Sequence, residues 1–162
     1  MSNWAAHVIT VSDGVHHGTR DDESGRGLVN LLREAGYETV GHTVVPDEHD
    51  QIRVAILSAV DTASLVVTTG GTGFGPRDVT PEATTSLLSR PAPGIVHLML
   101  AAGLESTPMA ALSRPVAGEV GRSLVVNLPG SPTGARENLA AILPVVPHAL
   151  ALLAGDTEHG PR

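Results

Sequence analysis

The sequence predicts an α/β fold, a mainly parallel sheet with helices on both faces. Three observations lead there. Apolar, β-branched runs of strand length alternate with segments of helical periodicity along nearly all of the 162 residues. Each run closes on a turn rich in Gly, Pro, Asp or Ser. The resulting β-α-β-α-β-loop-α succession is the pattern of parallel strands joined by crossover helices.

His7 to Val11 is short and β-branched, and it stops at Ser12-Asp13-Gly14, a turn signal. Ser24 offers an N-cap ahead of Leu28, Leu31, Leu32 and Ala35, which share one helical face, and Gly36 marks the stop. Thr39 to Val45 predicts a second strand closed by Pro46, and Asp47 caps a second helix through Ile52, Ala55, Ile56 and Ala59. A third strand, Leu65 to Thr69, runs into Gly70-Gly71-Thr72-Gly73-Phe74-Gly75. Thr80 then caps a helix with Pro81 at its first position. Pro93-Gly94 precedes a helix from Ile95 to Leu104, and Met109 to Arg114 and Val116 to Glu119 predict short strands or a hairpin. Ser123 to Leu128 predicts a buried strand ending in Pro129-Gly130-Ser131-Pro132. Thr133 starts a helix through Leu139, Ile142 and Leu143, which Pro144 and Pro147 break before a last turn or two ending at Gly155. Without an internal repeat or a low-complexity linker, residues 1–162 read as one domain, with its core over about 7–155 and a polar tail at 156–162.

Right-handed crossovers place the C-termini of the first three strands on one rim, where ligands bind in such sheets. The Asp13 turn, Asp47 and the glycine loop all follow strands, so topology alone brings them together.

Composition narrows the function. Ten basic residues against seventeen acidic ones give a net charge of −7, and every basic residue is Arg. The absence of Lys removes a P-loop lysine, a Schiff-base lysine and a polybasic tail. The acidic balance argues against a nucleic-acid partner. No Cys is present, so there is no thiol nucleophile and no thiolate zinc site. Met1 to Ala6 lacks a signal-peptide layout, and no apolar run approaches the ~20 residues that span a bilayer, so a cytoplasmic protein without a membrane partner is expected. One Trp, one Tyr and one Phe leave the core to aliphatic side chains.

The glycine loop is the sharpest local signal. A glycine-rich turn after a buried strand lets main-chain N–H groups approach an anion, and phosphate is the natural guest. The loop lacks both the Gly-Lys-Ser/Thr ending of a Walker A loop and the G-x-G-x-x-G dinucleotide spacing, so a plain strand-to-helix turn remains the competing reading. Asp47 and Asp78 each lie just past a strand. Singly they read as a cap and a turn former; converging beside a phosphate cradle, they are the oxygen ligands Mg²⁺ takes in phosphoryl or nucleotidyl transfer. Asp13 either joins them or holds its own turn. Ser12 and Ser131 read as phosphate donors or turn formers. Arg77, Arg114 and Arg136 lie near the same rim, and their forks suit phosphate, although each alone reads more simply as a surface ion pair.

The segment Thr68-Thr69-Gly70-Gly71-Thr72-Gly73-Phe74-Gly75-Pro76-Arg77-Asp78-Val79-Thr80-Pro81-Glu82-Ala83-Thr84 resembles the signature of the molybdenum cofactor biosynthesis proteins Mog and MoaB. The same module forms the G domain of gephyrin and of its plant counterpart. Thr10-Val11-Ser12-Asp13, Val45-Pro46-Asp47-Glu48, Ala111-Leu112-Ser113-Arg114 and Asn127-Leu128-Pro129-Gly130-Ser131-Pro132 carry the resemblance across almost the whole chain, in the family's order. It implies a three-layer α/β/α sandwich around a mixed, mostly parallel sheet, Rossmann-like in character, and a homotrimer. It implies molybdopterin as ligand and, in the Mog branch, adenylylation of molybdopterin by ATP with Mg²⁺ and release of pyrophosphate. Asp47 and Asp78 match the two aspartates credited with catalysis and the metal. Gly70, Gly71, Thr72 and Gly73 would hold phosphate oxygens. Ser12, Asp13, Ser113, Arg114, Pro129, Gly130 and Ser131 would border nucleotide or pterin, and the product would pass to a molybdenum-insertion enzyme. The chain departs from several relatives at Gly103, where they carry a Ser; if that hydroxyl touches ligand, affinity for the pterin falls. The alternative is a MoaB-type protein that binds molybdopterin without adenylylating it; a scaffold module serving only assembly is the remaining reading.

Overall fold

The computed structural model describes residues 3–157. Among them the order is β1 (Ala5–Val11), α1 (Asp13–His16), α2 (Glu23–Glu34), β2 (Glu38–Val45), α3 (His49–Val60), β3 (Leu65–Thr69), α4 (Thr80–Thr85), β4 (Arg90–Pro91) and α5 (Pro93–Ser106). A 3-10 turn over Pro108–Leu112 follows, then β5 (Ala117–Val120), β6 (Ser123–Leu128), α6 (Pro132–Ile142) and α7 (Val146–Leu153). The strands form one sheet in the order β2-β1-β3-β6-β5-β4. The first four run parallel, β5 lies antiparallel to β6, and β4 antiparallel to β5. The sheet is therefore mixed and mostly parallel.

Every residue of β3 and β6 is buried, as a strand covered on both faces requires. Successive side chains alternate between two cores. Ala6, Val8, Leu65, Val67, Leu124 and Val126 pack with Leu28 and Leu32 of α2 and Leu139 and Ile142 of α6. Ile9, Val11, Val66 and Val125 pack with Ile52, Ala55 and Ile56 of α3. The three-layer α/β/α sandwich follows from that alternation. No helix among the described residues is long and apolar enough to cross a membrane.

Several local expectations are corrected. Asp22, not Ser24, caps α2, its carboxylate accepting from the Gly25 N–H at 2.9 Å. Asp47 does not cap α3; Glu48 takes the cap position without a side-chain bond. Thr80 is the first residue of α4 rather than its cap. The expected strand over Met109 to Arg114 is largely the 3-10 turn, because Pro108 fixes the first turn and the Thr107 hydroxyl accepts from the Met109 N–H at 3.2 Å. Of the expected polar tail, residues 158–162 lie outside the described residues.

The topology positions the site. The chain moves from β1 to β2 on one side and then to β3 on the other. Connections leaving the C-terminal ends of β1 and β3 therefore diverge, opening a crevice between them.

Candidate active site

The turn after β3 sits at that crevice. Gly70 and Gly71 have φ of +104° and +67°, a region costly for other residues. A Cβ on Gly70 would stand 2.2 Å from the Val11 carbonyl oxygen, so the turn presses directly on the end of β1. The Gly70 N–H donates to the Leu128 carbonyl at 3.2 Å, tying it to β6 as well. On the far side, the fully buried Thr80 hydroxyl donates to the Gly70 carbonyl at 2.9 Å, and the Thr80 N–H to the Gly71 carbonyl at 3.1 Å. The turn is clamped between two strand ends and a helix start.

Two acidic turns lock together beside it. The Asp13 N–H donates to Asp47 Oδ2 at 2.9 Å, and the Asp47 N–H returns a bond to Asp13 Oδ1 at 3.0 Å. Arg77 grips Asp13 through Nε and Nη2 at 2.9 and 3.0 Å, and Nη2 also reaches Glu48 at 3.0 Å. The bidentate Arg77, followed by the Asp47 N–H, holds the Asp13 carboxyl below its ordinary value. Asp47 moves the other way. Burial raises its pKa first, the charges of Asp13 and Asp78 add to the rise, and the Asp13 N–H and Arg77 oppose it. Asp78 Oδ2 accepts from the Gly75 N–H at 2.9 Å. Asp47 Oδ1 faces Gly71, 3.1 Å from where a Cβ would stand.

A cleft of about 300 Å³ opens between these loops, lined by Ser12, Asp47, Gly70, Gly71, Asp78 and Gly130, with Arg20 to Ser24 as its outer wall. The sequence-predicted pair Asp47 and Asp78 is thus brought to one cavity with half of the predicted ligand-binding turn. Asp13 stands behind Asp47, its carboxylate taken by Arg77 and the Asp47 N–H. Thr72 and Gly73 do not line the cleft. Thr72 is buried, with its hydroxyl 3.1 Å from Ser113 Oγ, and the Gly70 N–H already has Leu128 as acceptor. Gly71 lines the cleft with Asp47 and Asp78. Arg114 does not present a fork to an anion either. Its Nε donates to the Gly73 carbonyl at 2.8 Å and its Nη2 to the Asp78 carbonyl at 3.1 Å; Nη1 pairs with Glu82, and the guanidinium lies 5.3 Å from the Phe74 ring centroid. It straps the loop that carries Asp78.

Ser113, Pro129 and Ser131 belong to a second hollow of about 220 Å³, mostly apolar, walled by Val96, Met99 and Leu100 of α5, Met109 and Ala110 of the 3-10 turn, and Asn138 of α6. The loop at 129–131 divides the two cavities, with Gly130 toward the cleft and its neighbours toward the slot. Sequence reasoning missed Asp22, Ser24, Thr80 and Asn138. The position of residues 20–24 just beyond β1 on the ligand rim is the signal that points to the first two. Thr80 stands in the signature segment but reads locally as a helix cap, and nothing local marks Asn138.

The donor set fits Mg²⁺. Asp47 and Asp78 each retain one carboxylate oxygen without a donor among the described residues, and a cation between them would relieve their mutual repulsion. No cluster of three or more acidic or His side chains among the described residues suits a metal by itself. That agrees with an ion held by one or two carboxylates and completed by substrate phosphate and water.

A glycine turn, a pair of carboxylates and a separate apolar slot thus meet at the switch point of an α/β sandwich. A family model described as "Probable molybdopterin binding domain" matches residues 7–148. The chain belongs to that molybdopterin-binding family of molybdenum cofactor biosynthesis. A molybdopterin adenylyltransferase of Helicobacter pylori is 38% identical over 153 residues, covering 92% of this chain and 87% of that one. Gephyrin of Dictyostelium discoideum is 42% identical over 161 residues, 93% of this chain. The chain spans only 22% of gephyrin's length and 27% of the Drosophila melanogaster molybdenum cofactor synthesis protein cinnamon. The crystal structure of the Thermus molybdopterin biosynthesis enzyme MoaB superposes with a TM-score of 0.88 at 47% identity, over 94% of this chain and 97% of that one.

Proposed function

We propose that the chain catalyses Mg²⁺-dependent adenylyl transfer from ATP to molybdopterin, giving adenylyl-molybdopterin and pyrophosphate. The observation that carries the reading is the convergence of Asp47 and Asp78 on one cleft at the Gly70-Gly71 turn. The Helicobacter relative's activity supports it. A phosphate oxygen of molybdopterin attacks the α-phosphorus of ATP in line; the new P–O bond forms as the bond to the β-phosphate oxygen breaks. That oxygen is already anionic, so no protein base is needed, and positioning and electrostatics dominate. The Gly71 N–H meets a phosphate oxygen, and Ser12 and Gly130 border the chain of phosphates. Asp47 and Asp78 would hold Mg²⁺, which when bound offsets charge on the leaving pyrophosphate. Arg77 keeps Asp13, and through it Asp47, in place. The pterin ring lies in the apolar slot, with Ser113, Pro129 and Ser131 at its border.

The assay is pyrophosphate release from ATP and molybdopterin by wild type, Asp47→Ala and Asp78→Ala. Each folded variant is expected to lose activity by roughly 100-fold or more. Undiminished turnover in the folded double variant refutes the role. Pterin binding by wild type without pyrophosphate release leaves a carrier instead.

We also propose a homotrimer acting in the cytoplasm, where ATP is supplied, and passing its product to a metal-inserting enzyme. Leu98 and Leu104 of α5 and Met109 and Leu112 of the 3-10 turn stand 40–64% exposed on the single chain, a patch suited to a neighbouring subunit. Light scattering at the monomer mass refutes the trimer.

A further inference from the structure

We propose that Asn138 is the recognition residue for the heterocycle, reading a donor–acceptor edge of the ring; the inference rests on placing the pterin in the slot. Asn138 lies on the inward face of α6 among Ala135, Leu139 and Ile142, and it is 7% exposed. Its side-chain amide has no hydrogen-bond partner among the described residues, yet it borders the slot. Every other polar side chain there is engaged. Thr107 accepts from the Met109 N–H, Ser113 bonds Thr72, Ser131 accepts from the Gly134 N–H, and Glu137 accepts from Ser106. Asn138 is the slot's side chain with no hydrogen bond at all among the described residues, and its amide offers a donor and an acceptor side by side.

Folding does not favour that arrangement. Asn is a poorer helix former than Leu, and it stands here on a helix face otherwise made of Ala135, Leu139 and Ile142. Gly103, opposite on α5, keeps the space open, since a Cβ there would stand 2.9 Å from Ala110 Cβ and 3.6 Å from Asn138 Oδ1. The result is a flat apolar slot with one amide inside and no arginine in its lining, which suits a neutral planar ring. An amide pairs in bidentate fashion with an adjacent N–H and C=O, as on the lactam edge of a pterin, or with the N6 and N7 edge of adenine. The separation of the slot from the carboxylate cleft favours the pterin.

The test uses 6-hydroxymethylpterin, followed by its fluorescence, and AMP, followed by calorimetry. Each is titrated into wild type, Asn138→Leu and Asn138→Asp, the second variant keeping the shape while replacing the donor with an acceptor. Wild type is expected to bind the pterin, and both variants to bind it about tenfold or more weakly with unchanged affinity for AMP. Asn138→Leu is also expected to melt above wild type, which a structural role for the amide would not produce. Wild-type pterin affinity in either folded variant overturns the assignment of Asn138. Loss of AMP binding instead of pterin binding overturns it in favour of adenine. Leu100→Trp, which fills the slot, separates the two readings. If it abolishes pterin binding while the Asn138 variants do not, the slot holds the ring and only Asn138 is wrong. Undiminished pterin binding in Leu100→Trp removes the pterin from the slot and overturns both.

Discussion

Replacing Gly71 with Ala tests the glycine turn against a built-in control. Gly71 has φ of +67°, and Gly121, in the turn between β5 and β6, has φ of +63°. Each Ala variant therefore carries the same left-handed penalty, about 1–2 kcal/mol. What differs is the space. A Cβ on Gly121 meets nothing within 4 Å, whereas one on Gly71 stands 2.3 Å from Thr80 Oγ1 and 3.1 Å from Asp47 Oδ1. Thr80 is fully buried, so its hydroxyl cannot move aside into solvent, and its bond to the Gly70 carbonyl is lost. An unsatisfied buried group of this kind costs about 1–3 kcal/mol. At about 2–4 °C per kcal/mol for a chain of this size, Gly71→Ala should melt roughly 2–12 °C below Gly121→Ala. Calorimetry at pH 7 measures the difference. Pyrophosphate release measures the second consequence, because displacement of Asp47 stops turnover in Gly71→Ala while Gly121→Ala remains active. Equal melting temperatures with equal activity would refute the packing of the turn against Thr80 and Asp47.

Asp47→Asn should melt no lower than wild type at pH 7, because the raised carboxyl pKa means that its ionisation opposes folding, and Asn still accepts from the Asp13 N–H. The gap should close as pH falls below the ordinary carboxyl value of 3.8, and a clearly lower melting temperature at pH 7 contradicts the reading. Asp13 carries the opposite sign: its depressed pKa gives stability present above pH 3.8 and lost as pH falls through the native value. Asp13→Asn should accordingly flatten the stability curve on the acid side of that value, as thermal melts across pH would record. Arg114→Lys keeps the charge but cannot bond the Gly73 and Asp78 carbonyls together, so KM for ATP should rise about tenfold in steady-state assays; an unchanged KM would show that the strap is dispensable.

The strands were legible because burial on both faces writes itself as an unbroken apolar run, and Leu65 to Thr69 and Ser123 to Leu128 have the bounds their composition predicts. The convergence of Asp47, Asp78 and the glycine turn was legible for another reason: parallel topology sends every strand end to one rim. What escaped was side-chain pairing across the fold. Asp47 looks locally like a helix cap, and only the approach of the β1 turn, distant in sequence, gives its carboxylate the Asp13 N–H as partner. Ser24 likewise looks like a cap, but its hydroxyl meets Thr69 at 2.7 Å, so the cap falls to Asp22. Arg114 reads as an anion fork until the loop folds beneath it and its donors are taken by carbonyls. Asn138 is invisible in sequence because its meaning lies in having no partner, a property of the packed structure alone.

The connection between the two cavities suggests how a substrate with two unlike ends is aligned. The Thr69 hydroxyl donates to the Pro129 carbonyl at 2.7 Å, so the proton in the 2.7 Å contact between Ser24 and Thr69 must come from Ser24. This chain of bonds fixes the loop dividing cleft and slot to the end of β3 and the start of α2, both of which border the cleft. A ring seated in the slot and a phosphate held at Gly71, as proposed, would then be referred to the same frame. In each cavity one polar group stands ready for a partner: a half-buried carboxylate, Asp47, beside other negative charge, and the Asn138 amide, unpaired among the described residues. On the proposed reading ligand would supply both partners, a cation carried with phosphate for the first and a ring edge for the second. Under that proposal orientation, a large contribution to a reaction that needs no base, would come from the frame that joins the two cavities.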